Sequence, residues 1–359
     1  MAKICFVSGV ISRSGGTERV GTIIANELSK RGFEVTILSF WNQGEPYYKL
    51  EKDVKVDYLL EAKEGKLYRT YIYPIIKLRN YILNNQIDIL IDIDTLLTTY
   101  SGYACWGTKC KLVSWEHFNY WNMLTDKKRI NAKKNVKRFA DKLIVLTDDD
   151  LKEHINKMGF EKNKIQRIYN PSPFNSSSVY NKDSNIFLAV GRLTNVKGFD
   201  LLLYSWKLFE NSNKNWNLKI VGSGEEEKSL KSIIKKLNLV NVELINHTKE
   251  IEKYYKNAAC YILSSRYEGF PMVILEAESF GLPIISFDCK TGPAEMIIDG
   301  ENGYLIEQGN VEKLSKAMLK FTNSNEQRIN MSNKSKEIVY NFSIEKIVDE
   351  WEDMLYDLL

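Results

Sequence analysis

Along the chain, short apolar runs alternate with longer stretches whose apolar positions recur every three or four residues. KICFVSGV (3–10), FEVTILSF (33–40), IDILIDID (87–94), CKLVSWEH (110–117) and KLIVLTD (142–148) read as strands. GTERVGTIIANELSKRG (16–32) has helical spacing and stops at Gly32, a usual C-terminal signal. A second series follows: IFLAVGR (186–192), a helix near Asp200 to Asn211, then NLKIVGSG (217–224), VELI (242–245), CYILSS (260–265) and LPIISFD (282–288). Strands alternating with helices predict parallel βαβ units, an α/β class built of doubly wound sheets. Between the two series, NPSPFNSSSVYNKDSN (170–185) loses all periodicity. We therefore expect a first domain over 1–170, a linker over 171–185 and a second domain over 186–343. FSIEKIVDEWEDMLYDLL closes the sequence as an amphipathic helix with Ser343 at its N-cap.

Composition narrows the class only slightly. A length of 359 residues makes two domains the default, and 44% hydrophobic with 27% charged residues is ordinary for a globular chain. Fifty basic against 46 acidic residues leave +4, too mild to imply nucleic acid. Five scattered cysteines and three distant histidines offer no zinc spacing and point to a reducing cytosol. No segment approaches the roughly 18 apolar residues of a spanning helix. The first residues have too short an apolar run for a signal peptide.

The stretch SSRYEGFPMVILEAESFGLPIIS (264–286) carries two glutamates, Glu268 and Glu276, in otherwise apolar surroundings. A helix from about Pro271 to Phe280, stopped by Gly281, puts Glu276 inside the arc of Met272, Val273 and Phe280. A carboxylate there needs a hydrogen-bond partner, and Glu268 sits in the loop entering the helix. Either both meet something polar near a helix N-terminus, or they are partly solvated charges on a helix edge.

Other candidates stand at strand ends, where α/β sheets bind ligands. SRSGGTE (12–18) brings Gly15 and Gly16 to the start of the first helix, suited to phosphate or simply to a tight turn. In IVGSGEEEKSL, three glutamates at the helix start would repel a pyrophosphate, which argues against a nicotinamide site. VGRLTNVKGFDLL (190–202) places Arg192 and Lys197 where they could clamp a diphosphate, or lie on the surface. SWEHFN places His117 just past a buried strand, in a catalytic or a structural role. Asp148 to Asp150 fit an acidic first helical turn, and Asp92 with Asp94 a strand end, better than a metal site.

Taken together, RYEGFPMVILEA with its E-x7-E spacing, GRLTNVKG, TGPAEMIIDGENGYL and SGGTE resemble a retaining glycosyltransferase of family 4, over essentially the full length and in the right order. That resemblance implies the GT-B fold: two Rossmann-like doubly wound domains facing a central cleft, the first binding acceptor and the second donor. The final helix, 344–359, would pack back on the first domain. It further implies that Glu276 bonds the donor ribose and Glu268 the transferred sugar. Backbone N–H groups from Gly269 through Phe270, Pro271, Met272 and Val273 to Ile274 would line sugar and diphosphate. Arg192 and Lys197 would neutralise the diphosphate, Gly16 would approach it, and His117 would stand beside the sugar. Fixed cations and a helix dipole can stabilise a departing nucleoside diphosphate without metal or cofactor. The expected partners are a nucleotide sugar, with uridine favoured over guanosine, and a glycan or lipid-pyrophosphate-linked acceptor of bacterial surface polysaccharide synthesis. On the same fold, a nucleotide-sugar epimerase or phosphorylase, or a non-catalytic sugar-binding member, are the alternatives.

One segment adds a further expectation. DKKRINAKKNVKRFADKL (126–143) carries eight cations, and a helical wheel gathers Lys127, Lys134, Lys137, Arg138 and Lys142 on one face. With KLYRTYIYPIIKLRNYI (66–82), it predicts docking to an anionic membrane by a cytoplasmic, peripheral enzyme. The alternative is a solvated basic helix.

Overall fold

A computed structural model describes residues 1–61, 72–123, 126–174 and 179–359. The chain divides into two compact units, Met1–Pro171 with Ile344–Leu359, and Ser172–Ser343. Residues 175–178 of the low-periodicity segment lie outside the described residues.

The first unit is a parallel sheet of β1 (Lys3–Ser8), β2 (Glu34–Asn42), β3 (Lys55–Glu61), β4 (Ile89–Asp92), β5 (Lys111–Trp115), β6 (Lys142–Val145) and β7 (Ile165–Arg167). Its order is β3-β2-β1-β4-β5-β6-β7, so the winding reverses between β1 and β4. There Ile4 pairs with Ile89 and Val7 with Asp92. The central strands are buried on both faces, which is why they read as nearly continuous apolar runs. Strands β3 and β7 close the edges. Each has one neighbour and a mixed burial pattern, so neither carries the long apolar run that marks the interior strands.

The second unit holds β8 (Ile186–Val190), β9 (Asn217–Val221), β10 (Val242–Ile245), β11 (Cys260–Leu263), β12 (Ile284–Asp288) and β13 (Gly303–Glu307). Its order, β10-β9-β8-β11-β12-β13, is the doubly wound pattern with its switch between β8 and β11. Phe187, Trp206, Phe209, Trp216 and Phe321 pack one face of this sheet. Strand β13 is another edge, absent from the apolar runs because it emerges from the turn before Gly303. Both units are Rossmann-like.

Two details differ from the sequence reading. The basic helix is Lys127–Phe139, and Ala140 already has extended backbone, so Lys142 stands on β6 rather than on the helical wheel. Asp141 causes the turn by accepting from Leu112 N at 2.8 Å while its own N–H donates to Leu112 O, also at 2.8 Å. Lys133, nominally one of eight surface cations, is fully buried.

The helix Ile344–Leu358 belongs to the first unit. Trp351 is fully buried with its ring 4.6 Å from Trp115. Arg31 meets both Asp349 and Glu352 at 2.6 Å.

Candidate functional site

In the second unit, the loops leaving β8 and β11 meet at the switch point, where a doubly wound sheet leaves a crevice at its carboxyl edge. Their approach is close. A Cβ on Gly198 would stand 2.0 Å from Ser264 O, and Gly198 itself has φ 62°, so glycine is required twice over. Arg266 N donates to Val196 O at 2.7 Å, Ser264 Oγ to Lys197 O at 2.9 Å, and the Arg266 guanidinium grips Asp200 at 2.8 and 2.6 Å. These bonds fix the β8 loop to the β11 loop.

Lys197 and Glu268 are brought together on that frame. Lys197 Nζ donates to Glu268 Oε1 at 2.7 Å, and Ser265 Oγ donates to the same oxygen at 2.5 Å. The Lys197 stem lies along Gly191, which immediately precedes Arg192. Arg192 is exposed, and no ion pair of its side chain is found among the described residues. The entry of the helix Met272–Ser279 is held from the β12 side, where Thr291 Oγ1 donates to Glu268 O at 2.9 Å. Thr291 takes φ 64°, a left-handed conformation that costs a β-branched residue energy, and Gly292 beside it lies against Pro271.

The helix begins at Met272, with Pro271 as its N-cap, and ends at Ser279. Glu276 is buried, and Tyr255 Oη donates to its Oε2 at 2.7 Å. The Tyr255 ring in turn stacks on Phe280 at 5.5 Å, which orients the hydroxyl. Burial pushes the Tyr261 phenol well up, and the charges of Glu268 and Glu276 act in the same direction. The N–H groups from Gly269 to Ile274 are not all available. Pro271 has none, and Ile274 N donates to Pro271 O at 2.9 Å. Met272 and Val273 remain in the first turn, where no intrahelical acceptor exists. Phe270 is buried against Phe342, 6.1 Å between rings.

The first unit holds Gly15, Gly16 and His117. Gly15 caps the helix Gly16–Lys30, and a Cβ on Gly16 would meet nothing within 4 Å. His117 is half-buried beside Trp115, 4.5 Å between rings, with Nε2 enclosed and unpartnered. Burial pulls its pKa down to about 4; the Arg129 charge works the same way and Glu116 against it. The imidazole is therefore neutral near pH 7. Glu116 forms a buried ion pair with Lys133 and accepts from Thr95 Oγ1 and Phe118 N, each at 2.9 Å. Burial disfavours its charge, but Lys133 outweighs that and keeps it ionised. This clamp beside His117 escaped sequence reading because Lys133 and Glu116 are seventeen residues apart with no motif between them. Tyr255 and Thr291 escaped for the same reason.

Asp92, considered as a ligand, is buried and accepts from Thr98 at 2.7 Å and Ser101 at 2.6 Å. Asp94 pairs with Arg129 at 3.2 Å, and Asp148 with Arg167 at 3.4 Å. Among the described residues, no group of three or more His, Cys, Asp or Glu is placed to hold a metal ion.

Two Rossmann-like units, one with a cationic side chain and two glutamates at its switch point, are the arrangement that the GT-B glycosyltransferase resemblance implies. Residues 14–172 match the model described as Glycosyltransferase Family 4, and residues 174–338 match Glycosyl transferases group 1. An uncharacterized glycosyltransferase of Haemophilus influenzae is 34% identical over 357 residues, covering 99% of this chain and 100% of that one. The Campylobacter jejuni GalNAc-α-(1→4)-GalNAc-α-(1→3)-diNAcBac-PP-undecaprenol α-1,4-N-acetyl-D-galactosaminyltransferase is 27% identical, covering 100% and 99%. Among solved structures, Anabaena Alr3699/HepE in complex with UDP and glucose superposes with a TM-score of 0.83 at 18% identity, covering 99% and 100%. The chain belongs to the glycosyltransferases, its first part matching the family 4 model and its second the group 1 model.

Proposed function

We propose that this enzyme moves a hexose or N-acetylhexosamine from a UDP-linked donor to a glycan or lipid-pyrophosphate-linked acceptor in bacterial surface polysaccharide synthesis, with retention of anomeric configuration. The observation that carries this is the Lys197–Glu268 pair at the β8/β11 switch, beside the start of the helix that carries Glu276. Departure of UDP leaves the bonding electron pair on the β-phosphate oxygen and so adds negative charge to a diphosphate that is already anionic. Lys197, Arg192 and the N–H groups of Met272 and Val273 are the donors suited to meet them. Glu276 takes the ribose hydroxyls, and Glu268 the hydroxyls of the sugar. Neither carboxylate is assigned as nucleophile, because same-face attack needs no carboxylate pair in glycosidase geometry. Gly15, Gly16 and His117 belong to the first unit, the acceptor domain in this reading, and are assigned through the family resemblance alone. The UDP donor is favoured by the Anabaena likeness, and the lipid-linked acceptor by the Campylobacter relative. We place the enzyme in the cytoplasm, peripheral to an anionic membrane.

A thermal-shift panel of nucleotide sugars tests the donor, since a bound ligand stabilises the fold by mass action. We expect one UDP-sugar to raise Tm, and product NMR to show the donor's own anomeric configuration. An inverted product, or stabilisation only by a guanosine donor, would refute the corresponding part.

A further inference from the structure

Three helices of the first unit lie side by side. Ile72–Asn85 packs on Thr98–Cys105, which packs in turn on Lys127–Phe139. Leu78, Ile82, Ala104, Cys105 and Val136 turn inward to one shared core on the sheet. What they turn outward is unusual in two ways.

The first is charge. These three helices carry nine cations and no acidic residue, more positive charge than the whole chain's net +4. Arg129 and Lys133 point inward to Asp94 and Glu116. Lys127, Lys134 and Arg138, spaced seven and four apart, form an exposed row opposite buried Val136. A fourth helix touching the same core, Asp148–Met158, carries Asp148, Asp149 and Glu153, and is left out of the surface.

The second is an apolar row at the same helical spacing. Ile72, Ile76 and Leu83 are 67%, 52% and 52% exposed on one side of their helix. Arg79, on that side, donates to Trp106 O at 2.7 Å and so ties the row to Trp106, which is itself 66% exposed. Trp106 and Arg138 line one open cavity of about 440 Å³, with Phe139 between them. The apolar row, the tryptophan and the cationic row therefore form one continuous surface. Residues 66–71, which sequence reading added to it, lie outside the described residues.

We infer that this three-helix surface docks the enzyme on an anionic lipid bilayer, with Ile72, Ile76, Leu83 and Trp106 entering the headgroup layer while Lys127, Lys134 and Arg138 meet lipid phosphates. This rests on, and deepens, the reading that the enzyme meets a lipid-linked acceptor at a membrane. A tryptophan and aliphatic side chains beside a row of cations, with Asp126 and Asp141 the acidic groups next to it, is a mixture that partitions to a lipid interface. Basic residues alone would be salt-sensitive; the apolar row adds a contribution that salt does not screen. Among the described residues no helix is long and apolar enough to cross a membrane, so contact is from one side.

The test is flotation of the full chain with vesicles of phosphatidylcholine alone or containing about a third phosphatidylglycerol. Wild type should float only with anionic vesicles, more weakly at high salt. Lys134→Glu with Arg138→Glu should cut binding at least tenfold at low salt. Trp106→Ala with Ile76→Ser should abolish the fraction that survives high salt. These positions are exposed, so Tm and the release of UDP from a soluble donor should stay unchanged. Absence of anionic-vesicle binding by wild type would overturn the inference, as would binding that both variants retain. If Trp106→Ala instead dissolves a dimer seen by light scattering, the surface joins two copies and the lipid assignment fails. UDP release without vesicles reports on the transferase reading separately.

Discussion

Lys197 and Arg192 look equivalent in the sequence and differ in the folded protein. Arg192 is exposed, so Arg192→Ala should leave stability within about 0.5 kcal/mol of wild type. Turnover should nonetheless fall about 100-fold, the usual loss when a charge-stabilising donor is removed. Lys197→Ala should lower both stability and turnover, since it takes a partner from Glu268. Combining Lys197→Ala with Glu268→Gln should cost less stability than the two singles added, a coupling of about 0.5–3 kcal/mol for residues in contact. Denaturation midpoints and steady-state kinetics read these out; full turnover in both single alanine mutants would remove the clamp from the mechanism. His117 makes a pH prediction of definite sign. Its folded pKa is about 4, depressed by burial from the usual 6.5, so its contribution to stability is complete above pH 6.5. That contribution is lost as pH falls toward 4, where the unfolded chain binds the proton more readily. NMR titration of the ring should show no protonation of the native protein above about pH 5, and kcat/KM should show no limb from His117 between pH 6 and 8.

At the level of elements, the interior strands were legible because both faces are buried and the runs are apolar without interruption. Strands β3, β7 and β13, all at sheet edges, were not; of the four edge strands, only β10 (VELI) showed itself by an apolar run. The helix bearing Glu276 was legible from Pro271 and Gly281, to within one residue at each end. Its partners were harder to see: Tyr255 reaches Glu276 from a separate helix, and Thr291 reaches Glu268 O from the β12 loop. Such contacts depend on tertiary approach, which no local spacing encodes. The close approach of loops gives its own test. Gly198→Ala would drive a Cβ into Ser264 O from a left-handed backbone, so it should destabilise by more than about 1 kcal/mol and weaken donor binding together. Gly16→Ala meets nothing within 4 Å and should leave the denaturation midpoint unmoved. Equal tolerance at both positions would mean that the β8 and β11 loops are not held as described.

Taken whole, the proposed reading meets diphosphate charge with protein cations and helix N–H groups alone, so EDTA should leave most of the transferase rate intact. Loss of activity in chelator with rescue by Mg²⁺ or Mn²⁺ would contradict this and return attention to Asp92, Asp94 and Asp148. The first unit depends on residues at the far end of the chain. Trp351 is wholly buried on Trp115, so Trp351→Ala should cost about 3–5 kcal/mol, read as a lowered unfolding transition. That dependence has a consequence for biosynthesis. The 172–343 unit intervenes between the first unit's sheet and the helix that completes it. At about 5–20 residues per second, roughly ten to thirty seconds of translation separate the two. Throughout that interval the nascent sheet presents the Trp115 side of its core uncovered. The growing polypeptide should then be a client for ribosome-associated chaperones, until the helix Ile344–Leu358 emerges and closes over it.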